Sequence, residues 1–411
     1  MLLSLALPLL ASTPLQEDRV EAWGEDLLHL IEQFEAMHPD PFHGVARETF
    51  EEAVSALYER LPDLDDDALV VELMRLFALH SRSGKEGHCG VYPGFTDPVL
   101  PLQLYRFEDG WFVVDAFGEE AGLVGARVVG IEGRPIAEVV ESVAPLVTHD
   151  NDTNLLGKLP GFLVRPRLLR GLGLGGEQDS CELELVLPGG ERAKRRLAAG
   201  APRRVEAGPP ADADVLWLSN PQAAWWMRVL DERSALYVQF NATQAQAPDG
   251  QSLESFAAEV AAAFDHHDLE RVVLDVRLNG GGNNTTFTPL VEALRGHARI
   301  NRPGALFALI GRGTFSAAGN FVTVLERDTN VILVGEPTGG GPNQFGDART
   351  VQLPHHDDLV VLRISTRYHE FDPEHPDRLT HEPHLFVPLT SQEYFAGTDP
   401  VLERALSHVA R

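Results

Sequence analysis

Apolar and polar positions along the chain change rhythm twice. Between residues 18 and 80 the rhythm is helical: Trp23, Leu27, Leu30, Ile31 and Phe34 recur three or four positions apart. His38-Pro39-Asp40-Pro41 stops that helix, because proline lacks a backbone donor and crowds the preceding turn. Thr49 and Glu52 have the spacing of a capping box, and Phe50, Val54 and Leu57 carry a second helix along one face. Asp65, Asp66 and Asp67 put negative charge at the start of a third, which carries Leu69, Leu73, Leu76 and Phe77. After residue 81 the rhythm shortens. A Gly- and Ser-rich stretch, 81–94, precedes strand-like runs at 100–105, 111–115, 127–131 and 182–187, with turns at Glu108-Asp109-Gly110 and Glu132-Gly133-Arg134-Pro135 and a helix at 136–146. Residues 198–214, rich in Ala, Pro and Arg, read as a linker. Beyond 216, strands at 235–240, 271–276, 305–310 and 331–334 alternate with helices at 253–264, 287–295 and 317–326. That alternation predicts an α/β unit with parallel pairing.

The chain has 411 residues, too long for one ordinary core and suited to two or three domains. Its 61 acidic residues against 34 basic ones, a net charge of −27, argue against nucleic acid or an anionic membrane as partner. Cys89 and Cys181 form at most one bridge. The only lysines are Lys85, Lys158 and Lys194, so nothing later in the chain acts as a lysine base. The opening run MLLSLALPLLA is too short to span a bilayer. It reads either as a signal core lacking its usual positive charge or as an apolar helix; export to the periplasm or exterior is preferred, with a cytoplasmic location left open. No later stretch reaches the ~18 apolar residues of a membrane span.

Four stretches carry candidate chemistry. In Asp275-Val276-Arg277-Leu278-Asn279-Gly280-Gly281-Gly282 a buried strand runs into three glycines, whose N–H groups suit a developing oxyanion. No Gly-Lys-Ser/Thr follows, so it is not a phosphate loop. In Gly311-Arg312-Gly313-Thr314-Phe315-Ser316-Ala317-Ala318 a strand passes through a turn into a helix. Ser316 there is either a helix N-cap or a nucleophile at the helix's positive end, and pattern alone leaves both open. In Gly87-His88-Cys89 the two side chains make no dyad, because neighbours on a strand face opposite ways, and His88 on its own reads as a loop histidine. The histidine-rich stretch 369–384 has irregular spacing, prolines and no H-E-x-x-H, so neither a metal nor any other cofactor is expected.

These pieces together resemble the C-terminal-processing (tail-specific) serine peptidases and their relatives, the tricorn core proteases and interphotoreceptor retinoid-binding proteins. The likeness rests on 275–282, then Thr314-Phe315-Ser316-Ala317-Ala318, then Val334-Gly335-Glu336-Pro337-Thr338-Gly339-Gly340, and finally Asp399-Pro400. Upstream, Gly87-His88 is similar to the family's Asp-Gly-His-Thr segment, and 125–133 to a strand and turn of its PDZ-like domain.

The resemblance implies a crotonase-like αβ core at 215–411, a PDZ-like β-rich domain at 86–200 and a helical domain at 16–85, after a possible signal at 1–15. It makes Ser316 the nucleophile of a serine-type peptidase, with the peptide N–H groups of Ala317 and Gly281 as oxyanion hole. The position matching the family's catalytic lysine is Gly341, so a Ser–Lys dyad requires Lys85 or Lys158 to reach across from another domain. The tricorn-like branch instead implies His88 as base, oriented by Asp377, with Glu382 in reserve; where the family has Pro-Asp, this chain has Pro383-His384. The expected partner is a peptide or protein substrate. The alternative is a non-catalytic protein binding peptides or hydrophobic ligands on the same scaffold. An acyl-CoA enzyme of the crotonase type has little support, because no basic cluster suits the CoA phosphates.

Overall fold

The computed structural model describes residues 14–177, 179–202 and 215–409. The apolar opening run and most of the expected linker therefore lie outside the described residues. The three expected helices form as Pro14–Met37, Arg47–Arg60 and Asp66–Ala78. Trp23, Leu27, Leu30 and Phe34 face inward and are buried. Asp65 caps the third helix by accepting the Ala68 N–H at 2.8 Å. The expected Thr49–Glu52 box does not form: the second helix starts earlier, at Arg47, so Thr49 already lies inside its first turn.

Next comes an antiparallel sheet in the order Leu102–Phe107, Gly110–Ala116, Arg127–Ile131, Ser180–Val186, Arg192–Ala198. The last strand escaped the sequence reading because RAKRRLA shows no apolar alternation; it is a charged, largely exposed edge. Helix Asp152–Leu163, capped by Asn151 accepting the Asn154 N–H, packs on the other edge strand, Leu102–Phe107. These elements share one hydrophobic core with the N-terminal helices and with Leu353, Val360, Leu362 and Ile364 from the far end of the chain.

The second half builds a six-stranded sheet in the order Leu385–Phe386, Ile332–Gly335, Leu306–Ile310, Arg271–Asp275, Ala235–Phe240, Trp225–Leu230. All neighbours run parallel except the last pair. Ala235–Phe240 and Leu306–Ile310 are buried at every position, as strands covered on both faces must be. Helices Leu253–His266, Thr288–Gly296 and Ala317–Asp328 pack against one face, and Pro400–Leu406 against the other. The architecture is mixed α/β with several sheets.

A small third sheet joins the halves. Strand Gly90–Pro93 pairs antiparallel with Val360–Ile364, Gly90 opposite Arg363, and Arg349–Val351 completes it. That pairing brings the preceding residues, 86–89, to the carboxyl ends of the parallel strands.

Candidate active site

Two turns interlock where the parallel strands end. One follows Arg271–Asp275; the other links Leu306–Ile310 to helix Ala317–Asp328. Thr314 Oγ1 donates to the Val276 carbonyl at 2.9 Å, and the Phe315 N–H donates to the Asn279 carbonyl at 3.1 Å. Asn279 Nδ2 in turn donates to the Phe240 carbonyl at 3.0 Å. Arg277 bridges Asp275 and Asp399 at 2.6 and 2.7 Å, fastening the base of the first turn. The turns touch at Gly281, which has φ +105°; a Cβ there would sit 2.6 Å from Ser316 Cβ, so only glycine fits.

Ser316 itself has φ 58° and ψ −128°, a conformation costing a non-glycine residue about 1–3 kcal/mol. It occupies the N-cap position of Ala317–Asp328, yet its side chain makes no capping bond. Its hydroxyl instead lies 2.9 Å from His88 Nε2. Ser316 is therefore not used as a cap. The pair is separated by 228 residues in sequence. The Ser316 carbonyl is held by Gln344 Nε2 at 3.0 Å, behind the strained turn.

His88 stacks on Phe315, with ring centroids 4.5 Å apart. Burial first, and then the nearby Lys158 ammonium, lowers its pKa to about 4. The ring is therefore neutral at pH 7 and able to accept a proton at Nε2. The segment before it is fastened by Glu86, a buried carboxylate that receives Ser365 Oγ at 2.7 Å, the Cys89 N–H at 3.2 Å, and approaches His38 and His43 Nε2 at 2.8 and 3.2 Å.

Two sets around Glu86 have ligand-type atoms within 4.8 Å of one another: His38, His43 and Glu86, and His80, Glu86 and Cys89. His38 Nδ1 accepts the Asp40 N–H at 3.1 Å, which leaves its proton on Nε2, pointing at Glu86. Glu86 is thus saturated by protein donors, and the arrangement works as a hydrogen-bonded anchor for the 86–89 segment. The histidines of 369–384 have separate partners: His381 meets Glu326 at 2.6 Å, His375 meets Asp372 at 3.0 Å, and His384 Nδ1 accepts the Leu333 N–H.

Two expected site residues make other contacts here. His88 Nδ1 is buried and has no hydrogen-bond partner among the described residues, so neither Asp377 nor Glu382 accepts from it. Both carboxylates lie exposed in the loop after residue 371, and Asp377 lines a cleft with His43, Lys85, Phe345 and Tyr368. The sequence had no Pro-Asp pair at 383–384 to anchor that loop's register, and solvated turns do not hold an inward carboxylate. The second concerns Gly281. Its N–H donates to Asn279 Oδ1 at 2.9 Å and is engaged within the turn. Ala317 opens the helix, where the first N–H groups lack intrahelical acceptors. As for the lysines, Lys158 Nζ donates to the carbonyls of Gly87 and Thr148, not to Ser316.

Aligned on its whole length, the molecule superposes on the structure of mature CPAF complexed with lactacystin at a TM-score of 0.65, with 14% identity, covering 96% of this chain and 98% of that one. A second structure of mature CPAF gives 0.63, also at 14% identity, over 96% and 97%. The chain has the CPAF fold. Weaker likeness reaches the tricorn protease, at a TM-score of 0.42 and 15% identity over 93% of this chain and 36% of that one. No protein-family model and no curated protein matches the sequence. At 14% identity the likeness to the CPAF structures is one of fold.

Sequence reasoning missed the supports of the pair. Phe315 was quoted only as part of a motif, and Gln344 not at all. Asp150, which accepts the Gly87 N–H, sits in a polar run, His149-Asp150-Asn151-Asp152, that reads only as a helix start. The one available signal was the scarcity of lysine, which singled out Lys158 for the wrong task.

Proposed function

We propose that the chain is a serine-type peptidase in which Ser316 is the nucleophile and His88 the general base. The observation that carries this reading is the 2.9 Å contact from a serine hydroxyl at a helix start, unused as a cap, to a neutral imidazole. A serine hydroxyl is a poor nucleophile until a base takes its proton. His88 Nε2 accepts that proton as Oγ attacks the carbonyl, then returns it to the leaving amine; water releases the acyl group by the reverse path. The Ala317 N–H faces the developing oxyanion, a contact worth about 3 kcal/mol. Gly281 supplies a second donor only when it releases Asn279.

In this reading 215–411 is the crotonase-like peptidase core, 86–200 a PDZ-like domain and 16–85 a helical domain. An extended peptide adds to the edge strand Leu102–Phe107. Cavities of about 570 and 380 Å³ lie between that strand and helix Asp152–Leu163, and the second continues to Gly313 and Phe315, beside Ser316.

One feature favours the other reading, a non-catalytic binding protein: among the described residues no carboxylate accepts from His88 Nδ1. A fluorophosphonate probe separates the two. Labelling of the wild type, its loss in Ser316→Ala and a drop of about 10²–10⁴-fold in His88→Ala support the peptidase. Folded wild type that takes neither this probe nor lactacystin, the ligand in the CPAF complex, belongs to the binding class.

A further inference from the structure

Two side chains, the buried Asp150 and the half-buried Lys158, grip the backbone directly before His88. The Gly87 N–H donates to Asp150 Oδ1. The Gly87 carbonyl, in the next peptide unit, accepts from Lys158 Nζ at 2.5 Å, and the same ammonium donates to the Thr148 carbonyl at 2.7 Å. Asp150 and Lys158 come from one short stretch, the entry and second turn of helix Asp152–Leu163. No side chain fits at Gly87, since a Cβ there would lie 2.9 Å from the Phe315 ring that stacks on His88 and from Asn154 Oδ1. The half-buried lysine gives donors to two backbone carbonyls rather than to a carboxylate, and it is one of only three lysines in the chain.

We propose that Lys158 and Asp150 are positioning residues, clasping the two peptide units that flank Gly87 and thereby fixing His88 within reach of Ser316. They take over the task a carboxylate behind the imidazole would perform: with Nδ1 unpartnered, the backbone and the Phe315 stack set the ring's orientation. The lysine has a second effect. Of the charged groups acting on the ring, Lys158, Arg363 and His369 oppose its protonation, and Glu86 favours it. Lys158 is the strongest of the three, so the clasp also keeps His88 in its base form. The catalytic consequence rests on the Ser316–His88 reading; the placement of the histidine does not.

The test therefore reads the histidine directly. In full-length protein with isotope-labelled histidine, the His88 resonance is assigned by its loss in His88→Gln and titrated by NMR. In Lys158→Met the midpoint should rise by about one pH unit, because a nearby cation no longer disfavours the imidazolium. Lys158→Arg should restore most of the shift. Fluorophosphonate labelling of Ser316 should slow in Lys158→Met, most at low pH, and its acid limb should move up with the midpoint. If Lys158→Met does not fold, Lys158→Gln, which keeps a neutral donor, is read the same way. An unmoved His88 midpoint overturns the proposal, even if labelling falls uniformly at all pH values. If the wild type is not labelled at all, the peptidase reading fails, and the titration still decides the clasp.

Discussion

Ser316 and His88 touch each other but are held in opposite ways. Ser316 is held by its neighbourhood: Thr314 on Val276, Phe315 on Asn279, Gly281 against its Cβ, all at one end of one parallel sheet. His88 is held by the rest of the molecule. Its segment leans on Asp150 and Lys158 from the middle of the chain, on His38 and His43 from the loop between the first two helices through Glu86, and on Ser365 and the 360–364 strand from the far end. The serine's geometry belongs to a local turn, whereas the histidine's geometry belongs to the packing of the whole chain. Damage to the first should cost rate with little stability; damage to the second should couple the two.

Gly281→Ala tests the local side and should have the largest effect. The new Cβ would lie 2.6 Å from Ser316 Cβ and 2.9 Å from Ala317 N, at a φ of +105°. The turn must move, and a displacement of about 1 Å at reacting atoms costs roughly 100-fold in rate. We expect kcat/KM to fall by at least about that factor, with the His88 NMR midpoint unchanged. A moved midpoint would mean that the two halves are not mechanically separate.

The distributed side predicts a stability that depends on pH. Burial holds both His88 and His80 down to about 4. Unfolded, each titrates near ~6.5, so between pH ~6.5 and ~4 the unfolded chain binds protons that the folded one refuses. Stability falls as pH drops through that window, by about 3 kcal/mol per histidine over its whole width. His80 isolates the effect. Its ring is buried and packs on Phe34 and Phe77, with the Phe77 backbone, Glu86, His38 and His43 as its polar or titratable neighbours. His80→Phe should leave urea stability nearly unchanged at pH 7.5 and raise it by about 2 kcal/mol at pH 5. An equal slope with pH in mutant and wild type would sink this account.

The same contrast explains what could be read in advance. The parallel strands are continuous apolar runs, and their Gly-rich exits are local signals, so 271–282 and 305–317 were legible as strand, turn and helix. Whether Ser316 capped the helix or attacked a carbonyl depended on where one hydroxyl points, which no local pattern records. His88 was nominated only through resemblance; its own residues read as a loop. The Asp150–Gly87 contact spans 63 residues and the Ser365–Glu86 contact 279, and single-sequence periodicity carries nothing at that range. The Arg192–Ala198 strand was illegible for a different reason: its pairing is set by the backbone of Ser180–Val186, while its side chains look like solvated charge.

The smallest expected effect concerns Asp377, the carboxylate that family resemblance would place behind His88. In this arrangement it is exposed and far enough from the ring that Nδ1 finds no acceptor. Removing its charge with Asp377→Asn changes a solvated group, and such surface changes stay within about 0.5 kcal/mol, or roughly two-fold. We therefore expect kcat/KM to remain within two-fold of wild type, with an unshifted acid limb. A loss of ten-fold or more, with the limb moved, would show that the 372–380 loop closes onto His88 when substrate binds. The base would then be oriented by a carboxylate after all, and the Lys158–Asp150 clasp would be a scaffold for the segment while the ring's orientation came from Asp377. Measuring Asp377→Asn and Lys158→Met side by side, under one substrate and one pH series, distinguishes a base steered through its backbone from one steered through its ring.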